Sequence, residues 1–150
     1  MQARCLGRLK KEAEDIRNNF DGVLELDIKD ESQMCWHVRF RGAEGSVYNG
    51  EVFTLQFKFS EDYPIESPEV IFVGIPPEHE HVYSNGYICL STLYSDWTPA
   101  LKVSAVTMSI LSMLSSAVVK QKPANDAQAV VWMKNKSPKK VNWMFEDDKC

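Results

Sequence analysis

The sequence predicts an α+β domain: an amphipathic N-terminal helix, a four-stranded antiparallel meander, a long active-site loop, a central apolar helix and C-terminal helices. Three observations carry this expectation. Apolar residues recur every three or four positions over residues 1–20, alternate between residues 23 and 73, and return to helical spacing after residue 102. Turn-forming clusters at 18–22, 42–50 and 61–68 separate the alternating runs. The 150 residues, 44% apolar and 25% charged, suit one ordinary domain with its own core.

In the first helix, Leu6, Leu9, Ala13, Ile16 and Phe20 share one stripe. Arg4, Arg8 and Lys11 cluster on a different face, which is either solvated or a docking surface. The first strand run holds Val23, Leu24, Leu26 and Ile28. In the second, Trp36, Val38 and Phe40 alternate with His37 and Arg39, as a half-buried strand requires. Phe53, Leu55, Phe57 and Phe59 do the same in the third, and residues 70–73 form a shorter fourth. Short connections between consecutive strands favour the meander. Residues 74–99 show little periodicity, and an irregular stretch of about 25 residues in a compact domain is often functional. Val103, Val106, Ile110, Met113, Leu114 and Ala117 then line one face of an apolar helix. A weaker helical piece at 127–134 follows, and residues 135–150 read as a partly mobile, lysine-rich tail to a single domain spanning 1–150.

Composition excludes several classes. A net charge of −4 argues against a dedicated nucleic-acid binder. No apolar run approaches the roughly 18 residues that a membrane span needs. Residues 1–20 mix charge with apolar residues and make a poor secretory signal, so the expected location is cytoplasmic or nuclear. Cys5, Cys35, Cys89 and Cys150 are widely separated, matching neither a zinc knuckle nor a disulfide framework. The seven glycines form neither GxGxxG nor GxxxxGK[ST], so any ATP chemistry belongs to another protein. A GxSxG nucleophile elbow is also absent.

Cys89 is the candidate nucleophile. Cysteine is usually a small buried hydrophobe, but this one follows the Ser84, Asn85, Gly86 turn in the irregular segment, where a thiol is expected to be reachable. His79 and His81 lie ten and eight residues upstream. Three readings of the trio are open. Zinc would need a fourth ligand, and none is close in sequence. A Cys–His protease pair lacks a signature around the cysteine. The third is an acyl carrier whose thioester is attacked by an amine.

The same residues carry a family resemblance. Tyr63, Pro64 and Pro68 with Val70, Ile71 and Phe72 resemble the YPxxxPxVxF segment of ubiquitin-conjugating enzymes. The strip from Asn85 through Cys89 to Leu90 resembles their active-site strip, and Trp97, Thr98, Pro99, Ala100 and Leu101 their WSPAL turn. Arg8, Leu9, Lys10, Lys11 and Glu12 fit at the N-terminus, so the likeness spans nearly the whole chain. The segments 135–140 and 147–150 are similar to the W-type branch. Where most of the family has His-Pro-Asn, this chain has His79, Glu80 and His81. His81 in the Asn place is shared with the W-type branch. Glu80 in the Pro place is not, and it removes a ring that would fix φ.

The resemblance implies the ubiquitin-conjugating fold and an acyltransferase without a bound cofactor or metal, the ATP being used by an upstream activating enzyme. Ubiquitin would be held on Cys89 as a thioester and passed to a substrate amine, with a RING or U-box ligase as partner. For the W-type branch that amine is a protein N-terminus. His81 is expected either to donate an imidazole N–H to the tetrahedral oxyanion or to shape the loop through a backbone hydrogen bond. Asp126 is expected either to orient the amine or to cap a helix. Arg8, Lys11, Ile65, Pro99 and Ala100 occupy the positions where the family docks its activating enzyme and ligase, although Ile65 and Trp97 also suit plain packing. The alternatives are an inactive interaction module of the same fold, or an enzyme for another ubiquitin-like modifier. An active-site cysteine in its full strip disfavours the first. No role for nucleic acid or membrane is implied.

Overall fold

The computed structural model describes residues 2–144. Helix α1 runs over Gln2–Asn19, followed by strands β1 (Glu25–Ile28), β2 (Cys35–Arg41), β3 (Val52–Lys58) and β4 (Glu69–Val73). Helix α2 (Val103–Ser115) and helix α3 (Asp126–Met133) come after the long loop, with single 3₁₀ turns at Ser91–Leu93 and Pro138–Lys140. The strands pair in sequence order, each antiparallel to the next, as the alternating runs and short turns predict.

Register follows from the side-chain period of two. Trp36 sits across from Phe57, Val38 from Leu55 and Phe40 from Phe53, while Leu55 and Phe57 meet Phe72 and Val70 on β4. All eight are buried on one face, so a slip of one residue would turn every one of them to solvent. Leu9, Ala13 and Ile16 of α1 join this core, as do Val103, Val106, Ile110 and Leu114 of α2. The first strand is shorter than its apolar run suggests. Val23 lies in a turn and is half exposed, because Val23 and Leu24 bond back to the Phe20 carbonyl at the end of α1. Ala117, placed on the α2 face by its spacing, lies two residues beyond the helix.

A buried carboxylate that periodicity does not reveal ties α1 to α2. Glu12 is only 2% exposed. It accepts hydrogen bonds from Arg8 Nε at 2.7 Å, Tyr63 Oη at 2.6 Å and the Val103 N–H at 2.6 Å. Val103 is the first residue of α2, and Lys102 before it contributes no side-chain cap. Glu12 therefore caps that helix from 91 residues away, satisfying an orphan N–H and opposing the positive end of the dipole. The peptide joining Tyr63 to Pro64 is cis. Beside it, Trp97 Nε1 donates to the Pro64 carbonyl at 2.9 Å, and Arg8 Nη2 to the Leu101 carbonyl at 2.9 Å. One end of the fold, formed by α1, the 63–65 loop and the 97–101 turn, is laced together in this way. Among the described residues, no helix is long and apolar enough to cross a membrane.

Candidate active site

The stretch expected to be irregular contains a narrow hairpin. Val82 and Ile88 form an antiparallel bridge, Tyr83 N donates to Tyr87 O at 2.9 Å, and Cys89 N donates to His81 O at 2.8 Å. Its arms are too short to produce a visible alternation, which is why periodicity misses it. The turn depends on Gly86. Its φ is +90°, and an added Cβ would lie 2.2 Å from the Phe72 carbonyl oxygen. In return, Phe72 N donates to Gly86 O at 2.9 Å, fastening the hairpin to β4.

The pleat of this hairpin sets the site. Val82 and Ile88 point into the core, where both are buried. Their neighbours His81 and Cys89 must therefore point the other way, side by side across the two arms, with Cβ atoms about 5 Å apart for such a pair. Both side chains line a cleft of about 960 Å³. Its far wall comes from the 121–125 segment and from α3, which presents Ala129, Trp132 and Met133. The C-terminal segment closes another side with Val141, Asn142, Trp143 and Met144. The thiol is less reachable than its place in a long loop suggests, since Cys89 is only 7% exposed.

Two tyrosines brace the strip. Tyr94 Oη donates to the Ile88 carbonyl at 2.6 Å, and burial first, then the neighbouring Cys89, pushes its ionisation far above the ordinary phenol range. The phenol thus stays protonated and keeps donating. Its ring stacks on Trp143 at 5.2 Å, and Trp143 also meets Tyr83 at 5.9 Å. Tyr87 Oη donates to the Lys136 carbonyl at 2.5 Å. Residues 135–144, expected to belong to a mobile tail, run along the β4 side. Ser137 Oγ bonds Glu69 at 2.9 Å, and Lys139 Nζ reaches Glu66 Oε1 and Ser67 O at 2.7 Å each. The 147–150 segment noted in the sequence lies outside the described residues.

His79 and His81 have different surroundings. His79 is buried, and its Nδ1 accepts the His81 N–H at 2.9 Å. Burial, then the adjacent His81, holds its pKa below the usual imidazole value, so it stays neutral and shapes the backbone under His81. With Nδ1 accepting, the ring proton of neutral His79 sits on Nε2, and the ring also bonds the Met113 backbone. Among the described residues, no group of three or more His, Cys, Asp or Glu side chains is placed to hold a metal ion. His81 Nε2 lies 3.7 Å from Glu80 Oε1 at the cleft rim.

Asp126, expected either to orient the amine or to cap a helix, does not hold the cap position. It is the first residue of α3, Asn125 holds the cap position, and the Asp126 carboxylate accepts the Ser84 N–H at 2.8 Å. Asp126 is absent from the described cleft wall, whereas Asn125 lines it and accepts from Tyr83 Oη at 3.2 Å. The expected docking residues divide as well. Lys11, Pro99 and Ala100 are exposed, and Ile65 is 71% exposed, which sets aside core packing for it. Arg8 is half-buried and bonded to Glu12 and Leu101, and its guanidinium lies 5.8 Å from the centre of the Tyr63 ring. Trp97 is a packing residue, its ring 6.0 Å from that of Tyr63.

Sequence reasoning missed Trp132, Trp143 and Met144 as cleft residues. The signal available was an aromatic residue within an otherwise polar C-terminal segment.

Known proteins are similar to this chain over nearly its whole length. Residues 8–146 match the family described as ubiquitin-conjugating enzyme. A Dictyostelium discoideum protein named probable ubiquitin-conjugating enzyme E2 W is 51% identical over 148 residues, covering 99% of each chain. The Caenorhabditis elegans protein named ubiquitin-conjugating enzyme E2 W is 49% identical over 144 residues, 94% of each. In three dimensions, the crystal structure of the ubiquitin-conjugating enzyme UbcA1 from Agrocybe aegerita is similar with a TM-score of 0.80. It is 38% identical, and the match covers 90% of this chain and 98% of that one.

Proposed function

The chain belongs to the ubiquitin-conjugating enzyme family, and from that premise we propose that it holds ubiquitin as a thioester on Cys89 and passes it to the N-terminal α-amino group of substrate proteins. An enzyme of this family works between an activating enzyme and a ligase, with ubiquitin as cargo. What supports the finer reading is one feature of the cleft: Trp132, Trp143 and Met144 line it together with Cys89 and His81. An extended chain end can lie along such walls, whereas the thioester needs only its amine at the bottom.

The chemistry is consistent with that choice. The amine nitrogen attacks the thioester carbonyl carbon, a C–N bond forms, and the C–S bond breaks with its electron pair going to the Cys89 sulfur. The nitrogen of the neutral amine gives up one proton to solvent and keeps the other in the new amide. An α-amine has a reference pKa of about 7.7–8.0 against about 10.4 for lysine, so near neutrality it is on the order of a hundredfold richer in the nucleophilic form. An α-amine therefore needs less help from a base than a lysine does. Negative charge develops on the carbonyl oxygen, and the His81 imidazole N–H, on the same face as Cys89, is the proposed donor to it. Asp126 acts as a positioning residue by pinning Ser84, and Tyr94 by holding Ile88. Lys11, Ile65, Pro99 and Ala100, with Arg8 setting their geometry, form the proposed docking end for the activating enzyme and a RING or U-box ligase.

The test is a charging reaction with ubiquitin, activating enzyme and ATP, followed by addition of peptides with free or acetylated N-termini. A thiol-sensitive adduct lost in Cys89→Ala and discharged only by the free-terminus peptides is the expected result. Discharge by lysine side chains at equal rate would overturn the N-terminal preference. Absence of any adduct would overturn the carrier role.

A further inference from the structure

Glu80 stands where the family resemblance leads one to expect a proline, and the structure gives its carboxylate a place in the site. Among the described residues lining the Cys89 cleft, Glu80 is the one acid, opposed by Lys122 and Lys136. Its Oε1 lies 3.7 Å from His81 Nε2, and its Oε2 lies 3.5 Å from Gln121 Nε2. Gln121 thus restrains the carboxylate from the opposite wall, while the hairpin restrains the imidazole. The His81 side chain is 12% exposed and that of Glu80 44%, so a sheltered imidazole is met by a carboxylate reaching it from the cleft rim.

We infer that Glu80 is a positioning residue for transfer: it holds the His81 ring and favours its protonated form, the form that donates to the developing oxyanion. This rests on the reading of Cys89 as the thioester carrier. The physical reason is that a carboxylate within about 4–6 Å of an imidazole favours its charged state, and an imidazolium carries a donor N–H on each nitrogen. Other charges around His81 act against this. His79 packs against it with ring centroids 5.4 Å apart but stays neutral. Lys122 and Lys136 disfavour an imidazolium, and Cys89 carries no charge while acylated. Glu80 is then what offsets the two lysines. The same carboxylate acts on His79, partly countering the depression of its pKa.

The experiment measures single-turnover discharge of purified thioester onto a lysine-free peptide with a free N-terminus, from pH 6 to 8.5, for wild type, Glu80→Gln and Glu80→Asp. Starting from thioester removes differences in charging, and the ratio of rates removes the amine's own titration. The wild-type to Glu80→Gln ratio is expected to be below about twofold at pH 6 and to rise to about three- to tenfold by pH 8.5, with Glu80→Asp between them. A ratio independent of pH would mean a merely structural role and overturn the inference. So would a loss confined to the amine KM, which would make Glu80 an amine-binding group. If the wild type forms no thioester, the carrier reading itself falls and this inference with it. If it charges and discharges with a flat ratio, only the role of Glu80 falls.

Discussion

Gly86→Ala tests how the hairpin holds Cys89, the proposed thioester carrier. A Cβ at this position would lie 2.2 Å from the Phe72 carbonyl oxygen, and ordinary contact begins at 3.4 Å, so strip and strand must separate by about 1.2 Å. That movement breaks the 2.9 Å bond from Phe72 N to Gly86 O, worth about 1 kcal/mol. The positive φ costs an alanine a further ~1–2 kcal/mol, and residual overpacking about 1–3. A loss of about 3–6 kcal/mol follows, equivalent to a fall in Tm on the order of 10 °C in a chain of this size. Cys89 is three residues on, and a displacement of about 1 Å at a reacting group costs on the order of a hundredfold in rate. Gly45→Ala is the matched control. Its φ is +85° with nothing within 4 Å of the added Cβ, so it carries the backbone cost without the clash. Urea unfolding followed by tryptophan fluorescence, with thioester discharge measured alongside, reads both quantities. Gly45→Ala is expected to lose about 1–2 kcal/mol and keep its transfer rate. Equal losses in the two variants would refute the claim that close approach to Phe72 positions Cys89.

Three further outcomes are expected. Glu12→Ala leaves Tyr63 Oη and the Val103 N–H without their acceptor, and should cost about 3 kcal/mol in urea unfolding. Arg8→Ala should cost less, because Arg8 is partly solvated and its loss leaves those two bonds to Glu12 intact; a larger loss would contradict Glu12 as the centre of the network. For His79, a pKa depressed in the fold means that the unfolded chain binds the extra proton first. Its contribution is therefore complete above about pH 6.5 and is lost as pH falls below that value toward the folded pKa. Stability measured from pH 7.5 to 5.5 should decline in the wild type and decline less in His79→Asn, whose amide oxygen can still accept the His81 N–H. Identical slopes would exclude His79 as the source. Trp143→Ala removes the partner stacked on Tyr94 and one wall of the cleft. It should raise the KM for a peptide amine several-fold, and an unchanged KM would show that the C-terminal segment does not contact the substrate.

The legible part of this protein is what depends on neighbours in sequence. Helical spacing from Leu9 to Ile16 and from Val103 to Leu114, and alternation through Trp36, Val38 and Phe40, reflect burial of one face of one element. They led to the α+β meander, with β1 two residues shorter than its apolar run. Gly86 and Cys89 were visible because a left-handed turn and a nucleophile need particular residue types, and the strip around them matches a family. The partners of charged and polar side chains were not visible. Glu12 meets Val103 across 91 residues, Asp126 meets Ser84 across 42, and Tyr87 meets Lys136 across 49. None of these pairings has a period, since each depends on where two elements come to rest.

The sequence by itself determined the layers of the fold, the family and the identity of the candidate nucleophile. Only the tertiary structure decided that His81 and Cys89 share a face, because that follows from the burial of Val82 and Ile88 between them. It also decided that Asp126 pins a turn, that Glu80 adjoins the imidazole and that Trp143 walls the cleft. Local patterns record which residues leave water, whereas a site is made by side chains held together from distant segments, whose spacing is set by packing of the whole chain.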